Sequence, residues 1–587
     1  MIRIAIIFAF LIATLATPFL LRPDGEKKSV SFRKAERVVI ITPHNESIRA
    51  EFERAFTRHM KSKFDRDVFI DWRQPGGTSE IAMFLKSEFS NAFENYWKAE
   101  TGKPFTPQVR SAFTNSKIDL TNEQGTFDDQ TLLDRVGEKS LKNRESIAAR
   151  SNGVEANLPN DDSLLDREAR KLFLESEVGA GIDLFFGGGA YDFQKQASAG
   201  ALVATDASGK YGPGALAEEK PEWFSDSVMP AMVSGEPFRD DDFRWVGTVL
   251  SAFGICYNVD VLERIGVEKM PDQWIDLTDP KLFRQVALAD PTKSGSVTKA
   301  FEMLIQQQIR ETLNSGVPEE KAVSEGWEKA MQMILKIGAN SRYFSDSATK
   351  IPHDVAQGDA AAGMCIDFYG RTFNELHKHD DGSSRIEFVM PEGGTSIGAD
   401  PVALVRGAPN PELAHRFIEF VLSTDGQKIW DYKPGAPGGP LRAALRRPPI
   451  RKDFYTPENQ QFMADAEVNP YEISKGFVYE AKWTGSAFRS LRFIIRTACV
   501  DTHEELQEAW LAMIETGMPA EAMAEFEEVS AISYEQATGR IGDVLNAKNK
   551  IKEVELSREL AGQFREKYAR VVELCEKERR KDVSLRD

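Results

Sequence analysis

A strand, a short turn of small polar residues and then a helix recur along this chain, and that unit confines it to a layered α/β architecture. Arg37 to Ile41 (Arg-Val-Val-Ile-Ile) is an apolar, β-branched run that reads as a strand. Thr42-Pro43-His44-Asn45-Glu46 follows it, and Ser47 to Met60 reads as a helix. Asp67 to Trp72 is a second strand, Gly76-Gly77-Thr78-Ser79-Glu80 its turn, and Ser79 to Phe93 a second helix. Further strands are read at Gly181–Phe186, Ala252–Tyr257, Gln285–Ala289, Ala360–Ile366 and Pro401–Val405. Further helices are read at Ser296–Ile309 and Pro411–Leu422, the latter opened by Asn410 and Pro411. Alternation of this kind implies a parallel sheet with crossover helices.

Five of these turns read as one cleft: Thr42–Glu46, Gly76–Glu80, Gly187-Gly188-Gly189-Ala190-Tyr191, Asp290–Ser296 and Cys365–Arg371. Open α/β sheets take their ligands beyond the carboxyl ends of the strands. A helix N-terminus offers free N–H groups and a partial positive charge, so it favours an anion or an oxygen-rich ligand. Each turn also has a plainer reading. His44 either binds a ligand or caps the following helix. Thr78 or Ser79 suits a helix cap. Glycines 187 to 189 form a tight turn or, in the preferred reading, allow backbone to approach a ligand closely. Arg371 either pairs with an acidic neighbour or forks onto a phosphate or carboxylate. His377 and His379, flanking Lys378, read as a solvated loop, because no third ligand has helical spacing.

At 587 residues the chain is long enough for two to four domains. Its net charge of −17 disfavours nucleic acid and anionic membrane surfaces as partners. Arg3 precedes an uncharged, mostly apolar run from Ile4 to Leu21, followed by a polar stretch. That layout is a secretory signal or, at this length, an N-terminal anchor in the cytoplasmic membrane. Ala13 to Pro18 gives no clean small-x-small cleavage site, so the anchor is preferred. Cys256, Cys365, Cys499 and Cys575 show neither CxxC nor Cys-His metal spacing. Cys256 and Cys365 sit in strand-like runs. They read as buried free thiols in preference to a disulfide.

From about 95 to 177 charged and amide residues dominate, which reads as an insertion of short helices and mobile loops on one domain. The Pro434–Pro440 stretch reads as an ordered turn or a boundary. Beyond about Val500 the character is helical and charged. Leu556, Leu560, Phe564, Tyr568, Val571 and Cys575 recur at three- or four-residue steps as one stripe. Such a stripe packs on the main body or, less often, docks a partner. No HExxH, no GxSxG and no defensible pair of acid and base emerges, so the chain does not read as an enzyme.

These segments, in this order, resemble the extracellular solute-binding proteins of bacterial ABC importers, and most of all their ferric-iron-binding branch. The resemblance covers about Arg37 to Trp430, apart from the insertion. It implies a two-lobed type II periplasmic-binding-protein fold with hinge crossings, near Leu250–Tyr257 and Gly393–Pro401. The implied layout is a leader or anchor over 1–30 and lobe 1 over 31–250. Lobe 2 covers 251–393, a return segment of lobe 1 covers 394–430, and the remainder of lobe 2 covers 431–499. A helical extension covers 500–587. In the iron-binding branch a histidine, a glutamate and two adjacent tyrosines hold the metal. His44 and Tyr369 match that set, Phe368 replaces one tyrosine, and the glycine triplet stands where the glutamate belongs. Removing phenolate and carboxylate removes donors that Fe(III) prefers, so iron is the secondary cargo. The anion-holding loop of the family is better matched, by Ser294-Gly295-Ser296 with Thr292 and Lys293 beside it. The resemblance thus implies a periplasmic or extracytoplasmic clamp for a small anionic or oxygen-rich solute, delivering it to an ABC permease. His44, Asn45, Gly77, Thr78, Ser79, Gly188 and Gly189 would face the solute from lobe 1. Thr292, Ser294, Gly295, Ser296, Asp367, Tyr369 and Arg371 would face it from lobe 2. A membrane-anchored sensor or scaffold on the same fold is the alternative.

Overall fold

The computed structural model describes residues 35–118, 120, 161–547 and 549–584. The Ile4–Leu21 run and most of the 121–177 part of the insertion lie outside them. Among the described residues no helix is long and apolar enough to cross a membrane.

The first sheet opens with β1 (Glu36–Ile41), β2 (Val68–Arg73), β3 (Leu184–Phe186) and β4 (Leu202–Val203). A short hairpin, β5 (Met232–Val233) with β6 (Glu236–Pro237), precedes β7 (Val246–Ser251). The second sheet holds β8 (Phe253–Asn258), β9 (Val286–Ala289), β10 (Ser341–Ser345), β11 (Ala362–Ile366) and β12 (Ile386–Val389). The chain then returns to the first sheet as β13 (Gly398–Val405). The strand orders are β2-β1-β3-β13-β4, with β7 also on β13, and β10-β9-β11-β8-β12. Each sheet is the centre of one lobe, so the molecule is a two-lobed α/β protein.

The apolar run of β1 is continuous because both of its faces are covered. Val38 and Ile40 point into one cluster, Val39 and Ile41 into another. The helix Glu46–Phe64 lays Ile48, Phe52, Phe56 and Met60 on the first face at four-residue steps. Each such side chain contributes about 1.5–3 kcal/mol by leaving water. The other face carries the helix Thr78–Thr101. The described parts of the insertion, Pro107–Ala112 and Asp161–Glu175, close over that helix. There Phe93 stacks on Phe113 at 4.8 Å and meets Phe173 edge-on at 5.4 Å.

The chain passes between lobes at Ala252, which joins β7 directly to β8, and again between Val389 and Gly398. The two crossings are tied together. The Phe253 N–H donates to Thr395 Oγ1 at 3.1 Å, and β7 pairs antiparallel with β13.

Both sheets are mixed, where alternation predicts parallel strands. β13 runs antiparallel to β3, β4 and β7, and β8 runs antiparallel to β11 and β12. A strand that enters from the other lobe needs no crossover helix, and antiparallel pairing is then accessible. The stretch 431–499 is also divided, rather than being the remainder of lobe 2. Leu445 and Ile450 join the core of lobe 1, whereas Trp483, Ala487 and Leu491 join that of lobe 2. The helical C-terminus packs on lobe 2. Leu556, Leu560, Phe564, Tyr568, Val571 and Cys575 are all buried in its core. All four cysteines are free and buried.

Candidate ligand-binding site

The turn after β1 places Asn45 and His44 at the mouth of lobe 1. Asn45 caps the helix behind it, its Oδ1 accepting from the Ile48 N–H at 3.1 Å. The cap is therefore Asn45 and not His44, whose ring turns inward against Phe186 at 4.7 Å and Trp430 at 5.9 Å. His44 is 5% exposed. Its Nε2 lies 3.3 Å from Arg447 Nη1 and 3.7 Å from Asp400 Oδ2. Arg447 in turn donates from Nη2 to Asp400 Oδ2 at 2.6 Å. An arginine only donates, so Nε2 is the acceptor and the proton sits on Nδ1, an assignment made from the network. Burial lowers the pKa of His44; Asp400 opposes this and Arg447 reinforces it. Burial pushes Asp400 up, but Arg447 holds the carboxylate below its ordinary range.

Lobe 2 meets this group with the N-terminus of the helix Asp367–Leu376. Phe368 leaves its own lobe and packs into the lobe 1 core, where Arg447 Cζ lies 4.5 Å from its ring centroid. Tyr369 lies beside Asn45 across the lobes, and burial pushes its phenol up to about 12. Asp367 accepts from Arg371 Nη2 at 2.9 Å. Arg371 also donates to Asp465 Oδ2 at 2.7 Å and to the Arg446 carbonyl at 2.8 Å. Arg371 thus pairs with acidic neighbours, the plainer of its two readings. Asp431 beside it is raised well above the ordinary range, first by burial and then by Asp465.

Several buried polar atoms of this group have no hydrogen-bond partner among the described residues. They are His44 Nδ1, Trp430 Nε1, Arg447 Nε, Arg371 Nη1, Asp367 Oδ1 and Asp431 Oδ1. A buried polar atom left unpaired costs about 1–3 kcal/mol. Six of the eleven such atoms among the described residues belong to this group.

The other expected residues lie on a second rim, joined to the first by the glycine triplet. Gly187 has φ +88°, and a Cβ there would overlap the His44 imidazole. At Gly188, φ +113°, a Cβ would overlap Thr78 Cγ2. The preferred sequence reading had these glycines freeing backbone for a ligand. In the structure they make room for His44 and Thr78. Gly189 and Gly77 are the N-cap residues of the helices Ala190–Ala199 and Thr78–Thr101. Neither Thr78 nor Ser79 caps, because the helix already begins at Thr78. In lobe 2, Thr292 donates from N and from Oγ1 to Asp290 Oδ1, both at 2.7 Å. Ser294 caps the helix Gly295–Asn314, and Gly295 and Ser296 form its first turn. The lobes touch here, where a Cβ on Gly77 would stand 3.4 Å from the Lys293 carbonyl and one on Gly295 3.5 Å from Thr78 Oγ1.

Sequence reasoning did not find Asp400, Trp430, Arg447 and Arg492. Asp400 and Trp430 sit in runs that read only as core. Arg446-Arg447 between Leu445 and Pro448-Pro449-Ile450 carried a signal, since a charged pair inside an apolar stretch demands partners. His377 gives Nδ1 to its own helix at the Phe373 carbonyl, 2.9 Å away, and His379 is exposed. No three His, Cys, Asp or Glu side chains come together as a metal centre among the described residues. The cationic Arg447 at His44 Nε2 also suits an anion better than a metal ion.

Residues 180–459 match the family model of the bacterial extracellular solute-binding proteins. That span is just under half of the chain, and over it the chain is similar to this family. The chain is 24% identical over 194 residues to an uncharacterized protein of Haemophilus influenzae, covering 33% of the chain and 49% of the relative. It is 24% identical over 173 residues to the putrescine/agmatine-binding protein of Pseudomonas aeruginosa, covering 29% and 44%. The match thus spans about half the length of these curated relatives. Among solved structures, the periplasmic binding protein AfuA of Actinobacillus pleuropneumoniae, with fructose-6-phosphate, superposes with a TM-score of 0.42 at 16% identity. That superposition covers 82% of this chain and 99% of AfuA. Iron-bound HitA of Pseudomonas aeruginosa gives a TM-score of 0.43 at 13% identity, covering 78% and 99%.

Proposed function

We propose that this protein is the extracytoplasmic solute-binding component of an ABC importer, and that it closes its two lobes on a small oxyanion, a carboxylate or a phosphate. The family-model match over 180–459 supports the binding role and the periplasmic setting. The observation that carries the ligand class is Arg447. Its buried guanidinium has an unpaired Nε and lies beside the unpaired His44 Nδ1 and Trp430 Nε1. Those atoms are donors, and with Arg371 Nη1 they outnumber the unpaired carboxylate oxygens. The N-termini of the helices Glu46–Phe64 and Asp367–Leu376 add positive potential at the same place. Asn45 and Tyr369 close the contact between lobes over the solute. Partner and anchor follow from the same reading: a permease takes the solute, and the N-terminal run holds the protein at the membrane.

Two other cargoes are kept as outcomes of one experiment. The purified protein is stripped by partial unfolding and refolding. It is then titrated by calorimetry with inorganic phosphate, a hexose phosphate, citrate, putrescine and ferric citrate, with Trp430 fluorescence as a second signal. An oxyanion is expected to bind, and Arg447→Met to weaken it about tenfold or more, since a hydrogen bond to a charged group contributes about 1.5–3 kcal/mol. Binding of putrescine alone would overturn the ligand class. So would a stoichiometric ferric colour that Tyr369→Phe abolishes.

A further inference from the structure

In a clamp that opens by hinge bending, the facing rims separate whenever the solute leaves. Here a later piece of the same chain is fastened to both rims. Arg492, on the helix Phe488–Ile495, donates from Nε to the Pro291 carbonyl at 2.8 Å. Its Nη2 donates to the Thr292 carbonyl at 3.0 Å in lobe 2 and to Ser79 Oγ at 2.9 Å in lobe 1. Four residues earlier, Phe488 packs against Tyr191 of lobe 1, with ring centroids 4.4 Å apart.

A second fastening lies at residues 474–484. The Tyr479 N–H donates to the Ser234 carbonyl at 2.8 Å, and Ser234 Oγ donates to the Ser474 carbonyl at 2.7 Å. Both bonds hold the segment to the β5–β6 hairpin. On the opposite side Tyr479 gives its hydroxyl to Glu302 Oε1 at 2.9 Å, and Thr484 donates to the same oxygen at 2.6 Å. Glu302 belongs to the lobe 2 helix Gly295–Asn314. Lys299 on that helix completes the link, 2.9 Å from both Glu302 Oε2 and Glu236 Oε1 of the hairpin. Ser396 in the returning crossing donates to Glu236 as well, at 2.6 Å. Gly235 is packed so closely on Tyr479 that a Cβ there would overlap the Tyr479 carbonyl.

We propose that residues 474–495 are an interlobe strap that holds the clamp closed without solute, so that release of the strap, and not solute arrival alone, governs opening. Only the two-lobed clamp of the proposed function is assumed, whatever the solute. Opening about the crossings would have to break the Arg492–Ser79 bond, part Phe488 from Tyr191 and separate Lys299 from the buried Glu236. Exposing the groups of one such fastening while its partners stay buried is costly, and that cost biases the closed state.

The test uses the full chain with no solute present. Ser87→Cys and Asn314→Cys put one exposed spin label on each lobe, and the four native cysteines are buried. The wild-type background is expected to show one short distance. Arg492→Ala with Phe488→Ala is expected to raise the long-distance, open population about tenfold or more. Arg492→Gln with Tyr479→Phe cuts one polar link of each fastening, Arg492 to Ser79 and Tyr479 to Glu302, with little loss of volume. It decides the matter if circular dichroism shows the first variant to be unfolded. A wild-type protein that already samples the long distance as much as the variants overturns the strap, and so do folded variants that stay closed. Neither result bears on which solute binds, which the titrations decide separately.

Discussion

His44 ties the site to pH. In the unfolded chain its imidazole takes a proton near pH 6.5, and burial lowers that value in the fold. Between the two values the unfolded state binds more protons, so stability rises with pH there and is lost as pH falls below about 6.5. Burial lowers His59 and His503 too, so the wild-type slope alone does not isolate one residue. The difference between wild type and His44→Gln does. The loss of melting temperature between pH 7 and pH 5 is expected to be smaller in the variant, as scanning calorimetry would show. Equal losses would mean that His44 does not enter the fold as a neutral ring. His44, Asn45 and Tyr369 stood out in the sequence because they sit in strand-to-helix turns. Asp400 did not, because its pairing with Arg447 joins positions 47 residues apart and carries no local pattern.

At the scale of elements, the turn at Gly187 decides where His44 can stand. The residue has φ +88°, and the imidazole fills the space a Cβ would need. Gly187→Ala is expected to destabilise the protein by about 1–3 kcal/mol from backbone strain, with a further cost from displacing the ring. Adding His44→Ala should recover the second part but not the first. Urea unfolding of the two single variants and the double variant measures that coupling. Additive losses would show that ring and glycine do not compete for one space. Strand-turn-helix units of this kind were legible because β-branched runs and small turn residues announce themselves locally. β7 was not: Val-Gly-Thr-Val-Leu-Ser has no alternation, since every one of its residues is buried. The reversed direction of β13 and β8 was equally hidden, because it follows from the lobe crossings and not from any residue in those strands.

Across the whole molecule, the C-terminal helices are part of lobe 2 rather than an arm carried beside it. The helix Lys550–Ser584 presents a charged outer face and a buried stripe. The sequence left two occupants open for that stripe, the body of the protein or a partner. The structure fills it with residues of the His503–Glu515 and Ala520–Phe526 helices, in the same core as the β8–β11 sheet. Tyr568 is the sharpest test. It is fully buried, packs on Phe526 and Phe564, and donates its hydroxyl to the Ala498 carbonyl at 2.8 Å. Replacing a buried aromatic by alanine costs about 3–5 kcal/mol, and the lost hydroxyl bond adds to that, although the Ala498 carbonyl keeps its bond from Thr502 Oγ1. Tyr568→Ala is therefore expected to lower the urea midpoint of the purified protein with no partner present. Tyr568→Phe, which keeps the ring, should cost only about 0.5–1.5 kcal/mol, since the Ala498 carbonyl stays bonded to Thr502. A docking arm would behave differently: Tyr568→Ala would leave the unfolding curve of the isolated protein unchanged. The site adjoins this layer through the segment that carries Arg492, so loss of the helix should also loosen the rim at Thr292 and Ser79. Hydrogen exchange at the Ser79 and Lys293 amides, compared in wild type and Tyr568→Ala, is the readout. Faster exchange at both places the C-terminal layer in the closure of the clamp, and unchanged exchange confines it to the stability of lobe 2.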